Sequence, residues 1–423
     1  MALSLGLLEK ETSIFIYLTL PSILSKRERR DSSLLAYPEG AVPFTGVLYR
    51  LPSAHHILSH HIPTDPILSY YTTPRHATLY DTSMKMSTPD STPPAPASAP
   101  FTKEKTFSSY NQEQGKHYAQ ARRDYHPKVY ETVLDHHVAT GGELDTVLDV
   151  GCGPGNVTAK LAPFFVHAIG IDPSEGMLST ARAATSAVRT SHGSGSAIRF
   201  ERSTAEDLGS ALTVSGDPIR DASVDLVTAA NAAHWFDMPG FWRAAARVLK
   251  PGGTVAIWTS GQVLAHPTLP NAQAINAAML AHRERHLAEY LTPGNLLARD
   301  SYVDLPLPWT LATDAGADMD ALFDKASFRR VDWDPATPFF VGEPEVDLDT
   351  FEKMLGTGSA ETRWRQAHPD DVGTERDVVR MMRREIERLL HEAGVEKGKE
   401  RLKGTAHGAI LFVKKKKRMQ REE

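Results

Sequence analysis

The sequence has 423 residues, of which 41% are hydrophobic, so it can bury a sizeable core and exceeds the length of one ordinary domain. Its net charge of −5 gives no reason to expect a nucleic-acid partner. The single cysteine, Cys152, excludes a disulfide within the chain and is typical of a reducing compartment, so we predict a cytoplasmic protein.

The first hundred residues do not alternate between strand and helix patterns. We predict that residues 1–100 form a disordered extension ending in the Pro/Ser-rich linker 87–100. The apolar stretch 13–24 is interrupted by a proline and is shorter than the roughly 20 residues that cross a bilayer, so we predict no membrane anchor. The histidine pairs 55–56 and 60–61 lack companion ligands at metal-binding spacing, so we predict no metal site.

Residues 101–145 carry helical patterns that precede the main domain. Tyr118 and Arg122 are four positions apart and therefore share one helix face. A second amphipathic helix with Val129 and Val133 on its apolar side follows. The sequence leaves two interpretations open, a helix at the surface or a cap over a ligand.

The stretch 146–158 reads TVLDVGCGPGNVT. Its strand portion, VLDV, is apolar apart from Asp149, which is typical of a strand buried on both faces of a parallel sheet. Gly151, Gly153 and Gly155 end the strand, and a helical pattern follows. This combination predicts a cofactor cradle, because glycines let a ligand lie against the backbone and the helix start directs free N–H groups at negative charge.

The spacing of these glycines distinguishes between cofactors. A dinucleotide site has the pattern G-x-G-x-x-G, whose third glycine would fall where this chain has Asn156. A nicotinamide cofactor is therefore disfavoured. Cys152 lies inside the turn, and we interpret it as a small residue that fills the turn rather than as a nucleophile.

Further strand patterns follow the glycine turn. The second strand, 167–172, ends at Asp172, whose two carboxylate oxygens can accept both hydroxyls of an adenosine ribose. The fourth strand ends just before Asn231, His234 and Trp235. Ligands of open parallel sheets bind beyond the carboxyl ends of the strands, so we expect these three side chains at the site. Two roles stay open for His234, that of a general base and that of a residue in the pocket wall.

Five alternating strand–helix units predict an α/β fold, a doubly wound, Rossmann-like, mostly parallel seven-stranded sheet with helices on both faces. The predicted segments are the extension 1–100, N-terminal cap helices 101–145, a core at 146–260, a helical lid or substrate insertion at 261–327, a part at 328–413 that completes the sheet, and a basic tail at 414–423. A strong helix is predicted from Thr374 to Ala393, with Thr374 and Asp377 capping its start. The run Lys414–Arg418 is similar to a nuclear localisation signal, but we interpret it as a frayed basic tail.

The stretch VLDVGCGPG resembles the first motif of class I S-adenosylmethionine methyltransferases, and the ordered motifs of the core, about 146–259, resemble the type 11 group of these enzymes. This resemblance implies S-adenosylmethionine as the cofactor, with the glycine loop against its methionine part and Asp149 helping to hold it. It also implies that the acidic turn at Ala205 and Glu206 contacts the adenine. The cofactor-binding residues expected from the strand ends and the resemblance together are Asp149, Gly151, Cys152, Gly153, Gly155, Asp172, Ala205, Glu206 and Asn231.

Three further pieces, spread over roughly residues 107–413, resemble the fungal trans-aconitate methyltransferase group, which includes a relative that acts on the terpenoid toxin cantharidin. The pieces are Tyr118-x-x-x-Arg122 with Tyr125-His-Pro127, Ala233-His-Trp-Phe-Asp237, and Thr357-Gly-Ser-Ala-Glu-Thr-Arg-Trp364. The chain departs from the group where Arg123 replaces a proline, where His126 is inserted, and where Gly358 replaces a tryptophan, which indicates a different acceptor pocket. The substrate-binding residues that follow from the resemblance are Tyr118, Arg122, Trp235, Arg363 and Trp364.

We therefore predict an S-adenosylmethionine-dependent methyltransferase whose small-molecule acceptor is a carboxylate, either of a small organic acid like trans-aconitate or of a related secondary metabolite. Arg122, Arg363 and Arg365 are candidates to hold such an acid. For a hydroxyl or amine acceptor, His234 would be the candidate base. The alternatives are a non-catalytic binding protein of the same fold and an NAD-dependent oxidoreductase. We expect a monomer without nucleic-acid, membrane or metal partners.

Overall fold

The computed structural model describes residues 105–417, except 192–194, 211–216, 312–318 and 343–344. The predicted extension 1–100 and the end of the predicted basic tail, 418–423, lie outside the described residues. Of the helices that the structure describes, none has the length and apolar character needed to span a bilayer.

The described elements alternate between strand and helix through the middle of the chain. The strands are β1 (Thr146–Val150), β2 (His167–Asp172), β3 (Arg199–Arg202), β4 (Val224–Ala230), β5 (Leu249–Thr259), β6 (Val263–Ala265), β7 (Phe323–Asp332), β8 (Glu345–Val346), β9 (Leu402–Ala406) and β10 (Ala409–Lys415). The α-helices are α1 (Gln112–Ala121), α2 (Pro127–Ala139), α3 (Asn156–Leu161), α4 (Glu175–Ala184), α5 (Met238–Val248), α6 (Ala272–His282), α7 (Pro293–Arg299), α8 (Met319–Leu322), α9 (Leu348–Leu355), α10 (Ser359–Ala367) and α11 (Val378–Glu392). The strand predicted at 167–172 and the end of the fourth strand predicted just before Asn231 are confirmed.

The main sheet contains seven strands in the order β3-β2-β1-β4-β5-β10-β7. β1 runs parallel to both β2 and β4, and parallel pairing continues to β3 on one side and β5 on the other. β10 is inserted antiparallel between β5 and β7. The predicted mostly parallel, seven-stranded sheet is therefore confirmed. Because the strand order reverses between β1 and β4, a crevice opens at their carboxyl ends.

Helices cover both faces of this sheet. All five residues of β1 are buried, which explains why its sequence is an almost continuous apolar run. Successive side chains of a strand point to opposite faces. Val147 accordingly packs in one hydrophobic cluster with Leu161 of α3, whereas Leu148 packs in another with Phe241 and Trp242 of α5.

The residues after β5 add a second layer beside the sheet. β6, β9 and β8 form a small antiparallel sheet. α6, α9 and α11 share an apolar cluster that includes Ile275, Leu348 and Ile386. The axis of α6 is continued by a π-helical turn, Arg283–Leu287. These helices matter for function because their apolar faces border the cavity described below.

Two predictions near the carboxyl end of the chain are wrong. α11 begins at Val378 rather than Thr374, because the carboxylate of Asp377 caps its first turn. The prediction of a frayed tail is wrong at Lys414, because this residue lies in β10 and donates from Nζ to Oγ1 of Thr254 at 2.9 Å. The strand therefore extends into the basic run, and its similarity to a localisation signal stays an untested prediction.

Candidate active site

A cavity of about 870 Å³ lies at the carboxyl ends of β1, β2 and β4. Most predicted site residues line it, namely Tyr118, Arg122, Asp149, Gly151, Cys152, Gly153, Asp172, Ala205, Glu206, Asn231, His234 and Trp235. The predicted residues outside its lining are Gly155, Arg363 and Trp364. The fold thus brings together side chains from the N-terminal helices, the glycine loop and three strand ends.

The glycine loop presents bare backbone to the cavity. Gly153 has a φ of +53°, and a Cβ built there would meet no atom within 4 Å, so the space beside it belongs to the cavity. Gly155 has another role, because a Cβ there would lie 2.9 Å from the Cβ of Ala181 in α4. This geometry does not support a cofactor contact at Gly155. Burial raises the pKa of Cys152 well above its usual range, which agrees with a packing role for this thiol.

Asp149 is the acid inside β1, and its side chain is buried. Its carboxylate accepts hydrogen bonds from the hydroxyls of Thr158 at 2.7 Å and Thr228 at 2.8 Å. Burial raises the pKa of Asp149 to about 6. Because Thr158 lies in α3 and Thr228 in β4, Asp149 fixes the helix behind the glycine loop while it forms part of the cavity wall.

Asp172 ends β2 at the rim of the glycine loop. Its Oδ2 accepts from the N–H of Gly153 at 3.0 Å, and its Oδ1 accepts from the N–H of Ser174 at 2.8 Å. A carboxylate oxygen can accept more than one hydrogen bond, so the predicted contacts to ribose hydroxyls are compatible with this arrangement. The bond to Gly153 adds a role that the sequence did not indicate, because Asp172 also holds the loop in place.

Ala205 and Glu206 form the turn after β3. Ala205 is buried, and Oε1 of Glu206 accepts from the N–H of Asp237 at 2.9 Å. Asp237 is the N-cap residue of α5, so this bond ties the turn to that helix. One carboxylate oxygen of Glu206 therefore binds the protein backbone. The contact of the other oxygen with adenine stays a prediction.

Asn231 follows β4 with a φ of +47°. Its Nδ2 donates to the hydroxyl of Tyr125 at 3.0 Å, and its Oδ1 accepts from the N–H of Ser260 at 3.0 Å. Tyr125 lines the cavity and stacks on Phe340 with ring centroids 5.5 Å apart. Burial raises the pKa of Tyr125, so its phenol stays neutral. The sequence contained this tyrosine in a motif but gave no reason to assign it to the site.

His234 contacts the cavity from the segment after β4. Its Nδ1 lies 2.7 Å from the hydroxyl of Tyr302. Burial, with a smaller contribution from the charge of Arg122, lowers the pKa of His234 to about 3. A general base is most effective when its pKa lies near the operating pH. Its burial and low pKa therefore favour a role for His234 as part of the pocket wall rather than as a general base.

Aromatic rings and one guanidinium form the neighbouring wall. Phe107 lies with its ring centroid 5.9 Å from that of Trp235 and 5.6 Å from that of Tyr118. The guanidinium carbon of Arg122 lies 5.2 Å from the Tyr118 ring centroid, and Nη2 donates to the carbonyl of Thr357 at 3.2 Å. Arg122 is thus a cation at the cavity, oriented by an aromatic ring.

Arg363 and Trp364, which are predicted to bind the acceptor, lie outside the lining of the cavity. Nη2 of Arg363 donates to the carbonyl of Tyr290 at 2.6 Å, and Nη1 donates to the hydroxyl of Thr106 at 3.0 Å. Trp364 is buried and stacks on His368 with ring centroids 4.2 Å apart. The guanidinium carbon of Arg363 also lies 6.0 Å from the ring centroid of Trp235, which lines the cavity. These contacts hold α10 in position, and a role for either side chain at the acceptor stays a prediction.

Arg365 also serves the structure, because its Nη2 lies 2.9 Å from Oδ2 of Asp377 at the start of α11. The cavity lining also includes charged residues that the sequence analysis did not assign to the site, among them Arg283 after α6 and Glu361 in α10. No local motif marks Arg283, and Glu361 belongs to a resembling segment in which it was given no role. Their position depends on how these two helices pack over the sheet, which a short sequence pattern does not specify.

Comparison with known proteins agrees with this geometry. A family model described as a methyltransferase domain matches residues 148–257, which contain the glycine loop, Asp172 and the end of β4. The match supports a class I S-adenosylmethionine methyltransferase. The match does not reach the N-terminal helices or the residues after β5.

Three curated relatives carry names of the same class. A probable S-adenosylmethionine-dependent methyltransferase of Saccharomyces cerevisiae is 34% identical over 142 residues, 34% of this chain and 44% of the relative. The methyltransferase cfoB of Aspergillus candidus is 34% identical over 158 residues, 37% of this chain and 45% of the relative. A protein of Dictyostelium discoideum, whose name gives methyltransferase only provisionally, is 30% identical over 195 residues, 45% of this chain and 62% of the relative. The chain thus spans less than two thirds of the length of each.

The cofactor implied by the domain and by the names of the relatives is S-adenosylmethionine. The residues present fit this group. The open backbone at Gly153 can lie against a ligand, and the Asp172 carboxylate stands beside it as an acceptor for ribose hydroxyls. The trans-aconitate group itself is not identified by the comparisons.

Proposed function

We propose that the protein is an S-adenosylmethionine-dependent methyltransferase that O-methylates the carboxylate of a small organic acid, of the trans-aconitate kind or of a related secondary metabolite. The observation that carries this proposal is that one cavity is lined by a cation, Arg122 at the end of α1, and by a histidine, His234, whose pKa burial lowers to about 3. An acidic acceptor can bind to the cation Arg122 in this cavity. A hydroxyl or amine acceptor would find only His234, which is a weak base.

The chemistry supplied by S-adenosylmethionine, when bound, is a methyl group on a positively charged sulfur, whose transfer to a carboxylate oxygen leaves a neutral thioether and a neutral methyl ester. The chain's own residues hold and align the reactants. The loop at Gly153 and the carboxylate of Asp172 would hold the cofactor, and Arg122 would hold the acceptor.

A carboxylate acceptor requires no proton removal by the protein. Carboxylic acids have a pKa of about 4 and are ionised at neutral pH. Alignment of the two reactants can then supply about 7–11 kcal/mol in favourable cases. The rings of Phe107, Tyr118 and Trp235 exclude water from the reacting charges, which strengthens the attraction between the acid and Arg122.

We further propose that the protein acts in the cytoplasm as a monomer on a small molecule, without a nucleic-acid or membrane partner. The support is the single cysteine and the absence of any excess of positive charge in the sequence.

A transfer assay tests the proposed function. The full chain is incubated with methyl-labelled S-adenosylmethionine and a panel of acids that includes aconitate, short diacids and hydrolysed terpenoid anhydrides. We expect label in a product that mild alkali releases as methanol, because methyl esters hydrolyse under conditions that leave methyl ethers and methylamines intact. Alkali-stable product, formed with phenols or amines and with none of the acids, would show that the acceptor is not a carboxylate.

A further inference from the structure

The cavity continues beyond the predicted cofactor residues into an apolar part. We call this part the distal arm, and its residues are Ile275, Met279, Phe351, Met354, Leu355 and Ile386. They belong to α6, α9 and α11 and lie outside the segment that matches the methyltransferase domain. An apolar lining of this kind favours a ligand with hydrocarbon surface, since burial of such surface is worth roughly 25 cal/mol per Å².

A cation, Arg283, continues one stripe of this apolar surface. Ile275, Met279 and Arg283 follow one another at intervals of four residues, so they lie along one face of the helix. Arg283 begins the π-helical turn that extends to Leu287, which also lines the cavity. Single π-helical turns within helices occur frequently at functional sites, because they redirect side chains.

The guanidinium of Arg283 is incompletely satisfied. Its Nη1 is buried and has no hydrogen-bond partner among the residues that the structure describes. Burial lowers the pKa of Arg283, which reflects the cost of removing this charge from water. A buried cation with an unpaired donor gains most from an anionic ligand, because charge-assisted hydrogen bonds are the strongest that a guanidinium makes.

Glu361 is the acid that faces this cation from α10. Burial raises the pKa of Glu361, and the charges of Arg283, Arg122 and Arg363 oppose this rise. Gly358 leaves space for it, because a side chain at that position would collide with the Glu361 carboxyl group. The glycine that stands where the resembling group has tryptophan therefore lets Glu361 take this position.

We propose that Arg283 binds a second anionic group of the acceptor, while the distal arm holds the apolar skeleton that joins this group to the methylated carboxylate. The acceptor class is then a dicarboxylic acid with a hydrocarbon body. This inference rests on the proposed function, and it assigns to Arg283 the specificity for the end of the acceptor that does not react.

The experiment compares two series of acceptors with the full chain. Linear monocarboxylic acids and α,ω-dicarboxylic acids of equal length, from six to twelve carbons, are methylated, and kcat and KM are measured for each pair. We expect the wild-type chain to prefer a diacid over its matched monoacid by about tenfold or more in kcat/KM, the effect of one charged hydrogen bond. Arg283→Met should remove this preference, chiefly by raising the KM of the diacid.

Two further variants separate binding from structure. Arg283→Lys keeps the charge and should retain at least part of the preference. Arg285→Met removes an exposed charge two residues away and should leave it unchanged. Wild-type preference for monoacids, or equal losses for both series in a folded Arg283→Met chain, would overturn the inference while ester formation continued. Failure of the wild-type chain to methylate any acid would instead remove the proposed function, and this inference with it.

Discussion

Asp172 offers the sharpest test of the cofactor site, because it has two separable roles. Its carboxylate holds the glycine loop through the N–H of Gly153 at 3.0 Å and is the expected acceptor for the ribose. Replacement by alanine would disturb both functions at once. Asp172→Asn keeps the shape and one carbonyl acceptor, which can continue to receive the N–H of Ser174, but it places an amide donor where an acceptor was required.

The expected losses follow from the bonds that each variant removes. A hydrogen bond to a charged group contributes about 1.5–3 kcal/mol, which corresponds to roughly tenfold to a hundredfold in affinity. We expect Asp172→Asn to bind S-adenosylmethionine at least about tenfold more weakly with a modest drop in melting temperature. Asp172→Ala removes the bonds to both Gly153 and Ser174, so its melting temperature should fall further.

Titration calorimetry with S-adenosylmethionine and differential scanning calorimetry measure the two effects. Asp135→Asn, a change of the same kind at an exposed position of α2, is the matched control and should alter neither quantity. If folded Asp172→Asn binds S-adenosylmethionine as the wild-type chain does, the carboxylate does not hold the ribose. The role of Asp172 would then be confined to the loop.

The remaining predictions concern the acceptor wall, the N-terminal extension and acid stability. His234→Gln should lose less than about a hundredfold in kcat, which is at or below the bottom of the usual range for loss of a general base. The kcat–pH profile should show no rise between pH 6 and 7. Arg122→Ala should raise the acceptor KM about tenfold, whereas Arg363→Ala should chiefly lower the melting temperature, because its guanidinium bonds to protein groups. A chain that starts at Met86 should match the full chain in melting temperature and cofactor affinity; a clear loss of either would show that the extension contributes to the fold. The histidines whose pKa burial lowers to between about 3 and 4 are His136, His234 and His282. Their pKa in the unfolded chain is about 6.5, so the unfolded chain takes up protons first as the pH falls, and the melting temperature should decrease between about pH 6.5 and 4. Asp149, whose pKa is raised to about 6, opposes this trend as a single group, and a constant melting temperature over that range would contradict the reasoning.

The sequence predicted the sheet well because its signals are local. A parallel strand buried on both faces needs an apolar run, and the ends of β2 and β4 are marked by Asp172 and Asn231, where the polar residues begin. The glycine loop follows the same logic, since the required backbone conformation restricts the residue at each position. These constraints act within about ten residues and can be read without knowledge of the tertiary structure.

The acceptor side was predicted poorly because its residues meet through long-range packing. Arg122, Arg363 and Arg365 looked equivalent in the sequence, yet only Arg122 lines the cavity. Arg283 carried no motif, and its place depends on the packing of α6 against helices about a hundred residues later in the chain. Charge and spacing identify candidate side chains. They do not indicate which of these side chains will instead bind a neighbouring carbonyl or carboxylate of the protein.

The position of β10 has a consequence for biosynthesis. β10 completes the sheet between β5 and β7, although both neighbours precede it in the chain. The interval from the end of β7 to the start of β10 takes roughly four to fifteen seconds to translate at about 5–20 residues per second. During that time β5, most of whose residues are buried in the folded protein, has an unpaired backbone edge of the kind that recruits other chains. A nascent polypeptide of this design is therefore exposed to aggregation until the β10 segment emerges, and chaperone capacity should influence the yield of the protein more than its final stability does.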